Sequence, residues 1–381
     1  MLNILLIKGA KEKEVELEEL KDEIATCLEF ENLNFLIGAG ASSFIVGEEE
    51  KGIATMSGLA REFYDIYPEI KIGKELAKDK FPNSLEDLLN YLIALQTVKF
   101  NKKISNIIKD IKRFIFRKVT DNYNSEVLEI YKNFYLKVSN RNRNTPVNIF
   151  TTNYDLYNET ALDELKFNYN NGFAGSSKRI FNPNIYNYVL VENLNLSKKV
   201  WKSVDNFFNL YKIHGSVNWT KQVEGKTNLP VISEKDIDVI KQKGSYDSLM
   251  IYPSPQKDRS TLMTPYSDLF RLMQNNLLKP NSILIVIGYS FGDEHINRII
   301  FNALSVYDFR LVIFGNSDYI QRIKEIGDSR IWIINSPDKI HYFSSVVNTV
   351  LPELSEDVKE MQDIRKSISK LAGLVDSKVE K

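Results

Sequence analysis

The sequence predicts an α/β fold in which a parallel sheet carries helices on both faces. Six short apolar segments, rich in β-branched or aromatic residues, alternate with segments of helical periodicity, and most of them end in a turn of small polar residues. The predicted strands are residues 34–37, 147–150, 210–213, 282–287, 311–314 and 331–334. Continuous apolar runs between helices are typical of strands buried on both faces of a parallel sheet. Ligands bind such sheets outside the carboxyl ends of the strands, so candidate site residues are sought there.

The composition is that of an ordinary globular protein. The 381 residues include 50 Lys and Arg against 50 Asp and Glu, so the formal net charge is zero. A balanced charge provides no general field for binding nucleic acid or an anionic membrane. The single cysteine, Cys27, excludes an internal disulfide and a zinc ribbon built from cysteine pairs, and it indicates a reducing compartment. Since no segment is typical of a signal peptide, we expect a cytoplasmic protein.

The helices can be predicted in chain order. Residues 11–30 carry apolar side chains at helical spacing among Glu and Lys, which predicts an amphipathic helix within an N-terminal arm spanning residues 1–31. A glycine turn after the first core strand leads to a helix over residues 56–67. Leucines at helical spacing, and a capping signal from Ser84 to Asp87, predict two to four helices inserted at about residues 75–144.

The remaining regions complete one interrupted domain. Residues 168–187 are rich in Asn, Tyr and Gly, which indicates an irregular surface segment. We therefore assign a single domain, with its helical insertion, to residues 32–350. Residues 351–381 are predicted to form a charged helical tail that packs loosely or binds a partner.

A glycine turn follows the first predicted core strand. Gly38-Ala39-Gly40-Ala41-Ser42 allows the backbone to turn tightly and to approach a pyrophosphate, whose charge the free amides at a helix start can bind. The dinucleotide-binding fingerprint of a Rossmann-like sheet has a third glycine where this chain has Ser43, and an acidic residue after the next strand, which is not evident here. A generic glycine turn therefore remains an alternative.

Polar side chains follow other predicted strands at the corresponding place. His214 ends one strand, and histidine is well suited to proton transfer near neutral pH, although strand-end histidines often have a structural role. Asn153 can donate and accept hydrogen bonds at once, or can simply form a turn. His295 and His341 are predicted at the surface or at a helix cap. Two further turns of this kind are Gly288-Tyr289-Ser290-Phe291-Gly292-Asp293 and Gly315-Asn316-Ser317.

Taken together, these motifs resemble those of the sirtuin family of NAD-consuming enzymes. Five motifs match in chain order over roughly residues 32–337. They are the GAGxS turn at Gly38-Ala39-Gly40-Ala41-Ser42, the TQNxD segment at Thr151-Thr152-Asn153-Tyr154-Asp155, the catalytic HG at His214-Gly215, a GTS-like phosphate loop at Gly288-Tyr289-Ser290, and a strand-end asparagine at Gly315-Asn316. The resemblance implies a Rossmann-like parallel sheet that binds NAD.

The chain also departs from the family. Sirtuin deacylases generally carry a zinc module with four cysteines, their G-I-P-x-F-R segment is replaced here by Gly52-Ile53-Ala54-Thr55-Met56, and no acyl-lysine-binding segment is evident. The chain is more similar to the sirtuin-like domains of bacterial antiphage systems, which are NAD glycohydrolases. Tyr252-Pro253 and Pro265-Tyr266, followed by Leu269-Phe270-Arg271, resemble a segment of that branch. NAD hydrolysis is therefore favoured, with an NAD-dependent deacylase and a non-catalytic NAD or ADP-ribose sensor as alternatives.

The resemblance further implies roles and partners. Asn153 and His214 are the implied catalytic residues, the first orienting the nicotinamide ribose or the attacking water and the second acting as general base. The implied NAD-binding residues are Gly38, Ala39, Gly40, Ser42, Asp155, Gly288, Ser290, Gly315 and Asn316. Of these, Gly38, Ala39 and Ser42 would hold the pyrophosphate with assistance from Ser290. Asn316 would contact the adenosine ribose, and Asp155 would orient the loop. No metal is expected. The resemblance also implies a homo-oligomer. Because an enzyme that consumes NAD must be kept inactive in a healthy cell, we expect control by a HerA-type hexameric ATPase or, alternatively, by a short prokaryotic Argonaute.

Overall fold

A computed structural model describes residues 3–46, 49–139, 143, 145–195, 200–204, 206–224, 229–243, 248–250 and 264–354. In chain order the strands are β1 (Ile4–Lys8), β2 (Lys11–Val15), β3 (Asn32–Ile37), β4 (Ser43–Val46), β5 (Glu49–Gly52), β6 (Lys71–Ile72), β7 (Glu75–Leu76), β8 (Val147–Thr151), β9 (Asn168–Asn170), β10 (Phe173–Ala174), β11 (Ile180–Phe181), β12 (Val191–Asn195), β13 (Val200–Ser203), β14 (Phe207–Lys212), β15 (Gly215–Glu224), β16 (Leu229–Glu234), β17 (Ser248–Met250), β18 (Ser282–Ile287), β19 (Arg310–Phe314) and β20 (Ile331–Asn335). The α-helices are α1 (Leu17–Cys27), α2 (Met56–Ile66), α3 (Ala77–Lys80), α4 (Leu85–Val98), α5 (Lys102–Asp121), α6 (Ser125–Ser139), α7 (Tyr157–Leu165), α8 (Ile237–Lys243), α9 (Tyr266–Leu277), α10 (Glu294–Ala303), α11 (Asp318–Lys324) and α12 (Phe343–Ser345). Short 3-10 turns span Ala39–Ala41 and Pro183–Asn187, and a π-helical turn spans Val346–Val350.

A nine-stranded sheet forms the centre of the fold, in the order β2-β1-β20-β19-β18-β3-β8-β14-β9. The strands from β20 to β9 run parallel, whereas β1 is antiparallel to both of its neighbours. The order β14-β8-β3-β18-β19-β20 is that of a Rossmann-type sheet, because the chain starts in the middle and winds outward in both directions. The predicted parallel sheet is thus confirmed. The winding reverses between β3 and β18, which opens a crevice at their carboxyl ends.

The central strands are buried on both faces, as their apolar composition predicts. Alternate residues of β3 enter different apolar clusters, Phe35 on one face and Leu36 on the other. Helix α6 covers the first face, where Phe134 packs edge-on against Phe35 with ring centroids 5.0 Å apart. Helices α9 and α10 contribute residues such as Leu269 to the second cluster. Helices therefore lie on both faces of the sheet, as predicted.

The N-terminal region differs from the prediction of one helix over residues 11–30. Residues 11–15 form β2, and the helix covers only Leu17–Cys27. β2 pairs with β1 and forms the outer edge of the sheet, and its alternating Lys and Glu residues are exposed there. Charged side chains are typical of such an edge because they discourage further pairing.

The region of the predicted insertion contains helices α3 to α6. Ser84 caps α4 by accepting the Asp87 amide at 3.1 Å, which confirms the capping signal. The prediction that a helix directly follows the glycine turn is wrong, because the hairpin of β4 and β5 lies between that turn and α2.

Within the described residues, no helix has both the length and the apolar character needed to cross a membrane.

Residues 168–187 are more regular and more buried than predicted. β9 adds a parallel strand beside β14, while β10 and β11 join a second, antiparallel sheet in the order β10-β11-β16-β15-β17. Phe173 packs against the buried Trp219 of that sheet, and Tyr186 stacks on Tyr211 of the central sheet. The prediction of an irregular surface segment holds for residues 175–179, which are exposed and irregular. It is wrong for the segments on either side, where burial of these aromatic rings outweighs the local preference of Asn and Gly for turns. The Tyr252-Pro253 motif, and the predicted tail helix from residue 355 onward, lie outside the described residues.

Candidate functional site

One cavity of about 740 Å³ lies at the carboxyl ends of β14, β8, β3, β18 and β19, which are neighbours in the sheet. A volume of this size is typical of small-molecule sites. Of the residues that the sequence assigns to the site, those lining the cavity are Ala39, Gly40, Ser42, Asn153, Asp155, His214, Gly288, Ser290, Gly315 and Asn316. Gly38 contributes from behind, because its carbonyl oxygen accepts a hydrogen bond from Asn153. The fold therefore brings together residues from five separate turns.

Two glycine turns meet where the strand order reverses. Gly38 and Gly288 follow β3 and β18, whose last residues are paired in register. A Cβ atom at Gly38 would lie 2.3 Å from the Gly288 carbonyl oxygen, and Gly288 itself has a φ of +68°. The Gly40 amide donates to that same oxygen at 3.0 Å. Glycine is required here because the two backbones are in direct contact.

The turn after β3 is a short 3-10 turn and not the start of an α-helix. Its amides at Gly40, Ala41 and Ser42 donate to carbonyl oxygens of Gly288, Gly38 and Ala39, respectively. The expected row of free amides at a helix start is therefore absent from this described segment. Within the described part of the chain, the Ala39 amide has no backbone acceptor, and the exposed Ser290 hydroxyl lies on the adjacent turn. These two groups are among the donors that the paired turns offer to an anion.

Asn153 is held by three oxygen atoms. Its Nδ2 lies 3.0 Å from the Gly38 carbonyl oxygen, 2.9 Å from Ser42 Oγ and 3.3 Å from the Tyr131 hydroxyl. Its Oδ1 is buried and has no hydrogen-bond partner among the described residues. Leaving a buried acceptor unpaired costs about 1–3 kcal/mol, so such an atom suits a ligand that brings a hydroxyl or amide donor.

Asp155 joins the glycine turn to the start of α7. Its Oδ2 accepts the Ser42 hydroxyl at 2.7 Å, and its Oδ1 accepts the Tyr157 amide at 3.1 Å. Beneath this loop, the buried Lys212 donates to the carbonyl oxygens of Tyr154 and Asp155. The loop that carries Asn153 is therefore fixed from two sides.

Lys212 is itself paired in the interior. Its Nζ lies 3.0 Å from Glu159 Oε1, and both side chains are buried. Burial raises the pKa of Glu159, and the nearby Lys212 charge opposes that shift. Breaking such a pair leaves a buried charge without compensation, so the pair supports the loop structurally.

His214 forms a buried pair with Asp293. The His214 Nε2 atom lies 2.9 Å from Asp293 Oδ2, and both residues line the cavity. The other carboxylate oxygen, Oδ1, accepts the His295 amide and caps α10. One carboxylate thus anchors a helix and orients the imidazole, an arrangement that suits a proton-transferring histidine. The sequence places Asp293 in a turn after β18 but does not reveal this pairing.

The other two histidines have different positions. His295 lies at the start of α10, as predicted. His341 lines the cavity and is half-buried, so the prediction of a surface or capping role was wrong for this residue. Burial and the neighbouring Lys339 charge lower the pKa of His341, which keeps its imidazole uncharged at neutral pH.

The region between α2 and α7 also contributes to the site. Ser84, Glu86 and Asp87 at the start of α4 line the cavity, and the Tyr154 hydroxyl donates to Glu86 Oε1 at 2.9 Å. Sequence reasoning missed Glu86 and Tyr131 because no local pattern distinguishes them from other helix residues.

The described residues contain no group of three or more His, Cys, Asp or Glu side chains that could hold a metal ion.

Comparisons with known proteins connect this chain with one family. A family model described as a SIR2-like domain matches residues 147–331. The matched span includes Asn153, His214 and the turns after β18 and β19. One solved structure, described as the structural basis for the mechanism and regulation of Sir2 enzymes, aligns with 87% of this chain and 97% of that chain, at 11% identity and a TM-score of 0.38. No curated protein matches the chain.

Proposed function

We propose that the chain is an NAD glycohydrolase, which cleaves NAD to nicotinamide and ADP-ribose. The observation that carries this proposal is the meeting of paired glycine turns, Asn153 and His214 in one cavity where the strand order reverses. Dinucleotides bind Rossmann-type sheets at that place. The match to a SIR2-like domain model over residues 147–331 supports NAD as the substrate.

The reaction requires an oriented substrate and an activated water. Cleavage of the nicotinamide–ribose bond passes through an oxocarbenium-like state, as in glycoside hydrolysis. Nicotinamide leaves as a neutral molecule with the electron pair of the broken C–N bond, so no strong general acid is needed. His214, oriented by Asp293, takes a proton from the water whose oxygen bonds to the ribose carbon. Asn153 Oδ1 accepts a hydrogen bond from a ribose hydroxyl and holds the sugar in place.

The remaining site residues bind the rest of the dinucleotide. The glycines at positions 40 and 288, which line the cavity, let the backbone approach the pyrophosphate, which the Ala39 amide and the Ser290 hydroxyl bind as donors. Asn316, after β19, contacts the adenosine ribose. Its Oδ1 already accepts from Gln321 at 3.0 Å, so the amide hydrogens are the groups that it offers.

We also propose that this activity is the effector function of a bacterial antiphage system. The motif resemblance supports a homo-oligomer under the control of a HerA-type ATPase, with a short prokaryotic Argonaute as the alternative partner. A neighbouring reading frame for such an ATPase, and its co-purification with this chain, are the expected observations. A monomer by light scattering that retains neither partner would contradict this part of the proposal.

The enzymatic proposal is tested by product analysis. Purified protein, alone and with the co-expressed ATPase, is incubated with NAD, while an acetyl-lysine peptide is offered in parallel. We expect equal amounts of nicotinamide and ADP-ribose, an unmodified peptide, and little turnover by His214→Ala. NAD-dependent loss of the acetyl group would instead indicate a deacylase. NAD binding without turnover in both preparations would indicate a sensor.

A further inference from the structure

We propose that Tyr131 is a positioning residue for Asn153 and that it acts through Ser42. The inference rests on the proposed function, because it identifies what holds the ribose-binding carboxamide in place. Tyr131 lies on α6 and is completely buried, with its hydroxyl 3.3 Å from both Ser42 Oγ and Asn153 Nδ2. It reaches the cluster from behind the cavity wall.

The direction of each hydrogen bond follows from which atoms can donate. A carboxylate only accepts, so the single Ser42 hydrogen points to Asp155 Oδ2, 2.7 Å away. The two lone pairs of Ser42 Oγ then face Asn153 Nδ2 and the Tyr131 hydroxyl, and both must donate. The hydrogens therefore run from Tyr131 to Ser42 and from Ser42 to Asp155.

This order fixes the amide of Asn153. The Gly38 carbonyl oxygen cannot donate, so the group facing it must be Nδ2 and not Oδ1. Ser42 has no hydrogen left to offer Oδ1, because its only hydrogen points to Asp155 and its lone pairs accept from Tyr131 and Asn153 Nδ2. Oδ1 is thereby kept on the side away from the cluster, where it has no partner among the described residues. Ser42, whose motif suggests a pyrophosphate ligand, instead supports Asn153.

The Tyr131 hydroxyl is suited to a constant role as donor. Burial and the negative charge of Asp155 raise the pKa of Tyr131 well above its usual value, so the hydroxyl keeps its proton. The ring is stacked on Tyr157 at 5.5 Å and packs against Phe343 at 4.9 Å between centroids. A phenylalanine ring can keep both contacts, so Tyr131→Phe removes the hydroxyl with little change in packing.

Helix α6 offers a matched control. Tyr135, one turn after Tyr131, is equally buried, and its hydroxyl donates to Asn158 Oδ1 at 2.7 Å. Neither tyrosine lines the described cavity. Tyr131→Phe and Tyr135→Phe each remove one buried hydroxyl donor from α6. Only the Tyr131 hydroxyl belongs to the hydrogen-bonded cluster around Asn153.

The kinetic test compares these variants in NAD hydrolysis. We expect Tyr131→Phe to lower kcat about 10-fold with KM within about twofold, and Tyr135→Phe to leave kcat within about twofold. If Tyr131 acts through Ser42, then Ser42→Ala and the double variant Ser42→Ala/Tyr131→Phe have the same kcat. Equal kcat for the two single Tyr variants, or multiplied effects in the double variant, would overturn the inference.

A second measurement does not depend on turnover. In protein labelled with ¹⁵N at asparagine, the side-chain amide signals of Asn153 are assigned by their loss in Asn153→Ala. We expect hydrogen exchange of these protons to accelerate about 10-fold in Tyr131→Phe, because one net hydrogen bond is lost from their cluster, and to be unchanged in Tyr135→Phe. Unchanged exchange in Tyr131→Phe refutes the positioning role. Absence of NAD turnover in the parent protein, with the exchange effect present, refutes the proposed function alone.

Discussion

The two ends of the central sheet use asparagine in opposite ways. Toward the amino ends of β3, β8 and β14, the asparagines Asn34, Asn148 and Asn209 lie side by side in register. Asn170, the last residue of the short strand β9, continues this ladder beside Asn209. Each of the last three donates to the Oδ1 atom of the preceding member, and Asn34 donates to Ser282 and Ile283 of β18. At the carboxyl ends, the side chain of Asn153 forms hydrogen bonds only through Nδ2, and its Oδ1 remains unpaired among the described residues.

The difference shows which polar groups serve the fold and which are available to a ligand. A ladder oxygen with a partner stabilises the sheet and fixes the strand register, because a slip by one residue would leave buried amides unpaired. An unpaired oxygen lowers stability, and a ligand that donates a hydrogen bond to it compensates for that cost. The comparison predicts that substitutions at the two ends separate stability from activity.

The largest expected effect is on activity, in Asn153→Ala. We expect kcat/KM for NAD hydrolysis to fall about 100- to 1,000-fold, since a preorganised polar contact at the reacting sugar is lost. The free energy of unfolding should change by less than about 1 kcal/mol, because the substitution also removes a buried unpaired acceptor. NAD turnover and urea denaturation measure the two quantities. A folded variant that turns over NAD at the parental rate would remove Asn153 from the mechanism.

The next effect is on stability, in Asn148→Ala. This change leaves Asn34 Oδ1 without the donor Asn148 Nδ2, and it removes the acceptor of Asn209 Nδ2 and of the Tyr211 hydroxyl, which still accepts from Asn276. We expect the free energy of unfolding to fall by about 2–4 kcal/mol, while the turnover per folded molecule stays near the parental value.

Asn170→Ala is the graded control for the ladder. Asn170 is half-buried at the end of the row, so we expect its loss to cost about 1 kcal/mol in urea denaturation. Equal losses for Asn148→Ala and Asn170→Ala would mean that the ladder does not act as a continuous chain.

A further test is Asp293→Asn, where one side chain serves both the fold and the site. Asparagine caps helices about as well as aspartate, so the stability should change by less than about 1 kcal/mol. The charge facing His214 is lost, and we expect kcat for NAD hydrolysis to fall about 10-fold. Asp293→Ala, which also removes the cap of α10, should lose a further ~1 kcal/mol of stability. Unchanged kcat in both variants would mean that His214 needs no carboxylate partner.

Local patterns predict most of the central sheet. The six apolar segments all form strands, and Ser84 caps α4, because strand periodicity and capping depend on residues a few positions apart. Other elements depend on distant partners. β2 forms on the edge that β1 provides, and the segment around Phe173 and Phe181 is ordered by burial against Trp219. Composition alone does not contain those contacts.

The sequence by itself determined that Asn153, His214 and the glycine turns meet, because parallel strands place their carboxyl ends along one edge. Only the tertiary structure decided what holds these residues. Tyr131 is 89 residues from Ser42, and Asp293 is 79 residues from His214. Hydrogen bonds of a few ångströms depend on how helices pack on the sheet, and no spacing in the chain encodes them. The candidate catalytic side chains were therefore predictable from their strands, whereas their supports became visible only in the folded chain.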